Sequence, residues 1–145
     1  MQSVVSVIAN EISDLFFVGF YIVKEKNNLN YENICEEQNL QQTHILEVGP
    51  YISTILATPL IEYGAGVCGT GWSTKETQVI QDVNLISNYI ACDDSTQSEI
   101  VVPIFDKNNP EKVIAVLDID SETKNRFQLE DQRFFEGIMQ YLNYE

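Results

Sequence analysis

The apolar positions at the start of the chain predict a helix followed by a buried strand. Between Met1 and Asp14, apolar side chains recur at spacings of three and four, which is typical of the inward-facing stripe of a helix. The next segment, Leu15 to Val23, is apolar throughout and rich in aromatic and β-branched residues, so it predicts a central strand. The helical stripe consists of Val4, Val5, Ile8 and Ile12.

The following quarter of the chain alternates polar and apolar segments. Lys24 to Thr43 is rich in Asn and Glu, which predicts a surface insertion or long loop. His44 to Val48 and Ile52 to Thr58 predict two short strands on either side of a turn at Gly49-Pro50.

A glycine-rich stretch comes next, with four glycines among the eight residues from Gly64 to Gly71. Glycines at this density indicate tight turns or a close approach of the main chain to a ligand. We expect a short helix to begin within this stretch. Beyond it, Thr77 to Gln81 predicts a strand and Asp82 to Ser98 an irregular loop.

Two strands and a helix complete the predicted elements. Glu99 to Phe105 and Lys112 to Asp120 predict strands that are joined by a turn at Asn108 to Pro110. Gln128 to Leu142 predicts the closing helix. The expected inner face of that helix consists of Phe134, Phe135, Ile138, Met139 and Leu142.

This order of elements predicts an α+β fold. Because short turns join most strands, we expect a central, mainly antiparallel sheet with the N- and C-terminal helices packed on one face. The chain has 145 residues, no internal repeat and no linker. It therefore predicts a single domain over 1–145, with the polar insertion at about 24–43.

Charge narrows the range of functions. The 22 acidic side chains against 8 basic ones give a formal net charge of −14, which disfavours binding to nucleic acids and to anionic membranes. No apolar run approaches the roughly 20 residues of a membrane span. The N-terminus lacks the basic residues of a secretory signal, so we expect a cytoplasmic protein.

The cysteines and the histidine limit metal and disulfide chemistry. Cys35, Cys68 and Cys92 are odd in number and widely spaced, which favours reduced thiols over a disulfide framework. The chain has one histidine, His44, and no CxxC pair. We therefore expect no ordinary zinc site and no cofactor, and a surface or edge role for His44.

The strand that ends at Asp120 carries two carboxylates. The period of two places Val113, Ala115, Leu117 and Ile119 on one face, and Ile114, Val116, Asp118 and Asp120 on the other. In one reading, both carboxylates are solvated where the strand leaves the sheet. In the other, they line an acidic pocket that binds a cationic group or donates a proton, and their clustering raises the pKa of one of them. Glu99, on the neighbouring strand, would face the same pocket.

Two cysteines and two aromatic residues are further candidates. Cys92 lies in the predicted loop, and Cys68 lies where a helix N-terminus would favour its thiolate. These two form a candidate dithiol pair, whereas Cys35 lies in the polar insertion and is interpreted as incidental. Phe17 and Tyr21 share a strand face and could form one wall of a small-molecule site.

The chain carries seven motifs, in this order: Val18-Gly19-Phe20-Tyr21, Leu46 to Tyr51, Gly64 to Thr70, Gln78 to Val83, Ile90 to Asp93, Ser98 to Pro103 and Val116 to Ser121. Together they resemble the free methionine-(R)-sulfoxide reductases, which are single GAF domains. The residues Cys92, Glu99, Asp118 and Asp120 make this resemblance specific.

The resemblance implies a thiol-dependent enzyme that reduces free methionine-(R)-sulfoxide. The thiolate of Cys92 would attack the sulfoxide sulfur and become a sulfenic acid. An acidic side chain among Glu99, Asp118 and Asp120 would protonate the departing oxygen and help to hold the substrate ammonium. A second thiol would form a disulfide, which a thioredoxin-type partner would reduce. The implied substrate-binding residues are Phe17, Tyr21, Gly66, Val67, Ile90 and Ala91.

The chain departs from the family pattern at several positions. Thr58 stands where the family has its first cysteine, so the second thiol would be Cys68, Cys35 or an external thiol. Phe17 replaces a family Trp, and Trp72 replaces a small residue. Homodimers are common in the family, so a homodimer is also expected. The alternative function is a non-enzymatic GAF domain that binds a small ligand or senses redox state.

Overall fold

A computed structural model describes residues 1–26, 40–87 and 94–141, and the side chains of residues 40 and 42 are outside the description. The described elements, in chain order, are α1 (Gln2–Glu11), β1 (Phe17–Glu25), α2 (Leu40–Thr43), β2 (His44–Ser53), β3 (Leu60–Ile61), α3 (Gly66–Thr74), β4 (Gln78–Ile80), a 3₁₀ turn (Val83–Leu85), β5 (Ser98–Asp106), β6 (Asn109–Ser121) and α4 (Leu129–Tyr141).

The strands form one six-stranded sheet in the order β3-β2-β1-β6-β5-β4. Every neighbouring pair is antiparallel. The two terminal helices pack on one face, and α3 packs on the other. The predicted α+β fold, with an antiparallel sheet and both terminal helices on one face, is therefore confirmed.

The sheet separates two apolar clusters. One cluster joins α1 and α4 to the strands through Val5, Ile8, Phe20, Leu117, Phe135 and Met139. The other lies under α3 and contains Phe17, Tyr21, Val67, Cys68, Trp72, Val101 and Val116. Because side chains alternate along each strand, every second residue of β1, of β5 up to Ile104 and of β6 from Ala115 onwards points to the α3 face. This alternation decides which polar side chains meet under α3.

The prediction of two short strands around Gly49-Pro50 is wrong. A single strand, β2, runs through both residues. Its register to β1 pairs Tyr51 with Gly19 and Val48 with Tyr21, so Gly49 and Pro50 together lie opposite Phe20. Two residues facing one define a β-bulge, which accommodates the proline in a continuous strand.

The hairpin between β5 and β6 also differs from the prediction. Its turn is formed by Lys107 and Asn108, whereas Asn109 and Pro110 already belong to β6. The register shifts again between Ile104 and Phe105, because Ile104 pairs with Ala115 and Phe105 with Val113. The skipped residue reverses the alternation. Consequently Val113 lies in the α3 cluster and Ile114 packs against the opposite one, contrary to the predicted faces.

Two further predictions concern the ends of elements. Phe135 and Met139 of α4 are buried and Ile138 packs against them, but Phe134 is 54% exposed and does not belong to the inner face. Leu142 lies outside the described residues. Of the predicted insertion, residues 27–39 are likewise outside, while its two ends belong to β1 and α2.

The glycine-rich stretch forms a turn and the first part of α3, as predicted. Gly69 shows why a side chain is excluded there, because an added Cβ would lie 2.4 Å from the carbonyl oxygen of Glu62. Hydrogen bonds tie the same turn together, from Gly64 N–H to the Gly69 carbonyl and from Gly69 N–H to the Ala65 carbonyl. Close packing of α3 against its own entry turn therefore explains this glycine. No described helix combines the length and apolar character needed to cross a membrane.

Candidate active site

Three carboxylates meet on the α3 face of the sheet. Strand β6 is central, between β1 and β5, and its register places Asp120 directly opposite Glu99. Asp118 lies two residues earlier on the same face, between Gly19 of β1 and Val101 of β5. All three carboxylates are only 4–5% exposed. The interpretation that they are solvated at a strand end is therefore wrong, and the three carboxylates lie together on one buried face, as predicted.

Helix α3 brings the Cys68 thiol to these carboxylates. Cys68 is the third residue of α3 and is buried beneath the helix. Three atoms lie within 4.8 Å of one another: the sulfur of Cys68, a carboxylate oxygen of Glu99 and a carboxylate oxygen of Asp118. The helix approaches β5 closely here, since a Cβ on Gly71 would lie 3.0 Å from Val101 Cγ1. Small residues on the inner side of α3 thus allow the thiol to reach the sheet.

The environment keeps the Cys68 thiol protonated. Burial raises its pKa well above the ordinary value of 9.0, and the negative charges of Asp118, Glu99 and Asp120 raise it further. The expectation that a helix N-terminus would favour the thiolate is therefore wrong. A terminal helix dipole contributes about 0.3–1 kcal/mol at an exposed site. Desolvation of a fully buried thiolate costs more, and the three carboxylates oppose the charge as well.

The pKa of Asp118 is raised as well. Burial raises its pKa from 3.8 to about 6, and hydrogen bonds with Cys68 and Glu99 oppose that rise. A hydrogen bond between two carboxyl groups requires a proton on one of them. The predicted increase of one carboxyl pKa is found, but its principal cause is burial and not the neighbouring charge.

Aromatic rings line the sheet beside the carboxylates. Phe17 and Tyr21 are buried on the α3 face, as predicted. The ring of Tyr51 stacks on Phe17 with centroids 5.6 Å apart. This arrangement depends on Gly19, since a Cβ there would lie 2.6 Å from Tyr51 Cβ. Trp72 of α3 lies in the same cluster and packs edge-on against Tyr63, 4.8 Å between centroids.

Tyr51 was not among the predicted site residues. Its motif was recognised, but the predicted break at Gly49-Pro50 removed the register that aligns Tyr51 with Gly19. A continuous β2 with a bulge would have placed it next to Phe17. The missing signal was therefore the bulge, which no residue pattern separates from a turn.

Of the other predicted site residues, the structure describes Gly66 and Val67. Gly66 and Val67 are buried at the start of α3, beside Cys68. His44 begins β2 and its Nδ1 is 2.7 Å from Thr43 Oγ1, away from the carboxylates in the register. Cys35, Ile90, Ala91 and Cys92 lie outside the described residues. The predicted pairing of Cys68 with Cys92 is therefore still a prediction.

Fold and site together define an α+β domain with a buried centre of one thiol and three carboxylates on one sheet face. No protein-family model matches the chain. The free methionine-R-sulfoxide reductase of Saccharomyces cerevisiae is 38% identical over 130 residues, which are 90% of this chain and 62% of the yeast protein. GAF domain-containing protein A of Dictyostelium discoideum is 32% identical over 130 residues, which are 90% of this chain and 69% of that protein.

A solved structure gives the same relationship. The structure of the Staphylococcus aureus protein fRMsr in complex with its substrate superposes on this chain with a TM-score of 0.75. The two chains are 33% identical, and the match covers 96% of this chain and 76% of that one. The chain belongs to the free methionine-R-sulfoxide reductase family of GAF domains. It spans about three fifths of the length of the yeast relative.

Proposed function

We propose that this protein reduces free methionine-(R)-sulfoxide to methionine. The observation that carries the proposal is the buried centre in which Cys68, Glu99 and Asp118 lie within 4.8 Å of one another, with Asp120 beside them. Sulfoxide reduction needs a nucleophilic thiol, a proton source and a second thiol. The centre offers the proton source and one thiol, and the relatives named above supply the substrate class.

In the first step, the Cys92 thiolate attacks the sulfoxide sulfur. The sulfur–oxygen bond of the substrate breaks, the oxygen is transferred to Cys92 with a proton, and methionine leaves. Cys92 is oxidised to a sulfenic acid while the substrate sulfur is reduced by two electrons. The role of Cys92 rests on the resemblance of Ile90 to Asp93 to the family motif.

The proton for the sulfoxide oxygen comes from the carboxylate centre. A carboxyl with a pKa of about 6, as burial gives Asp118, is partly protonated near neutral pH. A general acid is most effective when its pKa lies near the working pH. Because Glu99 is hydrogen-bonded to Asp118, the two carboxyls share this proton and either can present it.

The charges of the substrate fit two parts of the site. The ammonium of a free amino acid suits the acidic centre, since burial strengthens the attraction between opposite charges. The carboxylate suits the N-terminus of α3, whose first residues are Gly66 and Val67. Ala65, at the N-cap, has no side-chain oxygen to accept the N–H groups of the first turn. Phe17 and Tyr21 form an apolar wall for the thioether chain.

The second step restores the enzyme. Cys68 attacks the sulfenic acid, a disulfide to Cys92 forms, and water leaves with the former sulfoxide oxygen. Cys68 must lose its proton in this step, and the Asp118 carboxylate, which is hydrogen-bonded to the thiol, is placed to accept it. A thioredoxin-type dithiol then reduces the disulfide. Thr58 stands where the family has its first cysteine. Within the described part of the chain, Cys68 is therefore the thiol that can form the disulfide with Cys92.

Methionine release from racemic free methionine sulfoxide tests the proposal. The wild-type protein with excess dithiothreitol should release methionine, and Cys92→Ser should abolish the release. Cys35→Ser is the matched control and should retain the wild-type rate. A dimedone-type probe should label Cys92 only after substrate is added. Absence of methionine release from folded wild-type protein would contradict the proposal.

The second candidate is a GAF domain that binds a small ligand or senses redox state without turnover. The raised pKa of Cys68 and the presence of Thr58 favour it, since both weaken a dithiol cycle. Calorimetry separates the two candidates. Binding of methionine or its sulfoxide without methionine release would support the second candidate.

A further inference from the structure

The thiol–carboxylate centre has the composition of a metal site. Cys68, Glu99 and Asp118 come from three separate elements, α3, β5 and β6, and are far apart in the sequence. The sequence prediction of no ordinary zinc site was based on the single histidine and the absence of a CxxC pair. The sheet register brings these donors together, which the sequence pattern alone does not show. Thiolate sulfur and carboxylate oxygen are both established Zn²⁺ ligands.

The spacing of the three donor atoms suits one ion. Atoms no more than 4.8 Å apart have a common centre within about 2.8 Å of each atom. Zinc lies about 2.3 Å from sulfur and about 2.0–2.2 Å from oxygen. Each donor atom therefore needs to move inwards by only about 0.5–0.8 Å to reach these bond lengths.

An oxygen of Asp118 provides a second, independent observation. Oδ1 of Asp118 is buried and has no hydrogen-bond partner among the described residues. A buried carboxylate oxygen without a partner is energetically costly, and coordination to a cation removes that cost. The residue is only 4% exposed, so bulk water does not provide the missing interaction.

We propose that Cys68, Glu99 and Asp118 form a binding site for a single borderline-soft divalent cation of the Zn²⁺ type. On binding, the S–H bond of Cys68 breaks, a sulfur–metal bond forms and the proton passes to the buffer. The thiolate selects zinc or cobalt over Mg²⁺ and Ca²⁺, which prefer all-oxygen sites. Three anionic donors more than neutralise the charge of the cation, and a water molecule completes a tetrahedral site.

Occupation of this site inhibits the proposed reductase, because the same carboxylates supply its proton. The metal proposal does not depend on that function, since it rests on the donor geometry and on the buried Asp118 oxygen. Spectroscopy measures metal binding, and product formation measures methionine release. Either experiment can give a negative result without affecting the other. A protein that binds the cation but does not reduce the sulfoxide would retain this proposal and lose the other.

Cobalt absorption tests the proposal directly. Metal-free protein, kept reduced with a phosphine that does not chelate metals, is titrated with Co²⁺. We expect one equivalent to give the visible bands of a tetrahedral site and a sulfur-to-cobalt charge-transfer band in the near ultraviolet. One equivalent of Zn²⁺ should then displace the cobalt and remove both signals. Folded wild-type protein without the charge-transfer band would overturn the proposal.

Variants assign the ligands. Cys68→Ser should abolish the charge-transfer band, whereas Cys35→Ser and Cys92→Ser should retain it. Glu99→Gln and Asp118→Asn should weaken Co²⁺ binding by about tenfold or more. Glu111→Gln removes an exposed carboxylate on the same strand as Asp118 and should leave the affinity unchanged. A band that persists in Cys68→Ser, or disappears in Cys92→Ser, would overturn the assignment.

Discussion

At the scale of single residues, burial disfavours the charged forms of the acidic groups in the centre. The thiol of Cys68 and the carboxyl of Asp118 are both held under α3, and burial is the largest cause of the raised pKa of each. Burial disfavours the charged form of an acid, so both groups tend to keep their protons. A site of this kind keeps protonated acidic groups next to a thiol sulfur, as the proposed reaction requires.

The raised pKa of Asp118 predicts a specific dependence of stability on pH. Since the pKa is higher in the folded state, about 6 against 3.8, the ionised carboxylate destabilises the fold. This cost is absent below about pH 4, grows as the pH rises and is complete above about pH 6. The free energy of unfolding of wild type relative to Asp118→Asn should therefore fall by up to about 3 kcal/mol between pH 4 and pH 7.

Urea denaturation at each pH measures this difference. Glu111→Gln, which removes a carboxylate that is 83% exposed, is the matched control and should show no comparable change. A difference between wild type and Asp118→Asn that stays constant with pH would contradict the raised pKa of Asp118.

The sequence predicted most of the described centre at this scale. Strand period places Asp118 and Asp120 on one face, and antiparallel pairing brings Glu99 to that face, where it lies opposite Asp120. The predicted thiolate at Cys68 is wrong, because the pKa of the thiol depends on its depth of burial. That depth depends on how closely α3 approaches the sheet. That approach is a tertiary property that the local pattern does not contain.

At the scale of elements, small residues determine where α3 lies. Gly69→Ala should destabilise the fold by about 1–3 kcal/mol, because the new Cβ would lie 2.4 Å from the Glu62 carbonyl oxygen and a main-chain atom cannot easily move. Gly137→Ala is the matched control within α4. An added Cβ there meets no atom within 4 Å, so the higher helix propensity of Ala should stabilise the protein by about 0.5–1 kcal/mol.

Thermal and urea unfolding of both variants measure the two effects. Equal changes in the two variants would contradict the packing of α3 against its entry turn.

The neighbouring phenylalanines of α4 give a second element-scale prediction. Phe135 is 1% exposed and lies in the core under the terminal helices, whereas Phe134 is 54% exposed. Phe135→Ala should therefore cost about 3–5 kcal/mol of unfolding free energy. Phe134→Ala should cost less than about 1 kcal/mol, since a surface change away from special features has a small effect. Similar costs for the two variants, measured by urea unfolding, would show that the helix is rotated from its described orientation.

Element boundaries were predicted best where the apolar pattern is long and uninterrupted. The helix α1, the strand β1 and the pair β5 and β6 were all predicted, with ends that differ by a few residues. The pattern failed at bulges. Gly49-Pro50 appears as a turn in the sequence but lies within β2, and the shift near Ile104 reverses the faces of Val113 and Ile114. A bulge depends on the partner strand, so one strand alone does not reveal it.

At the scale of the whole molecule, the sheet order brings the centre together. Strand β6 is central, so its two aspartates have a partner strand on each side, and α3 covers them from above. A net charge of −14 surrounds this centre and favours the approach of cationic groups over anionic ones. The resemblance of the motifs to free methionine-(R)-sulfoxide reductases agrees with the shared fold and with the identity to the yeast and Staphylococcus aureus proteins.

The proposed function is the reduction of one epimer of a free amino-acid sulfoxide. The most direct measurement is the initial rate of methionine release from the separated R and S epimers of free methionine sulfoxide, with excess dithiothreitol. We predict release from the R epimer and none above background from the S epimer. Equal rates with both epimers, or no release from either one by folded protein, would contradict it.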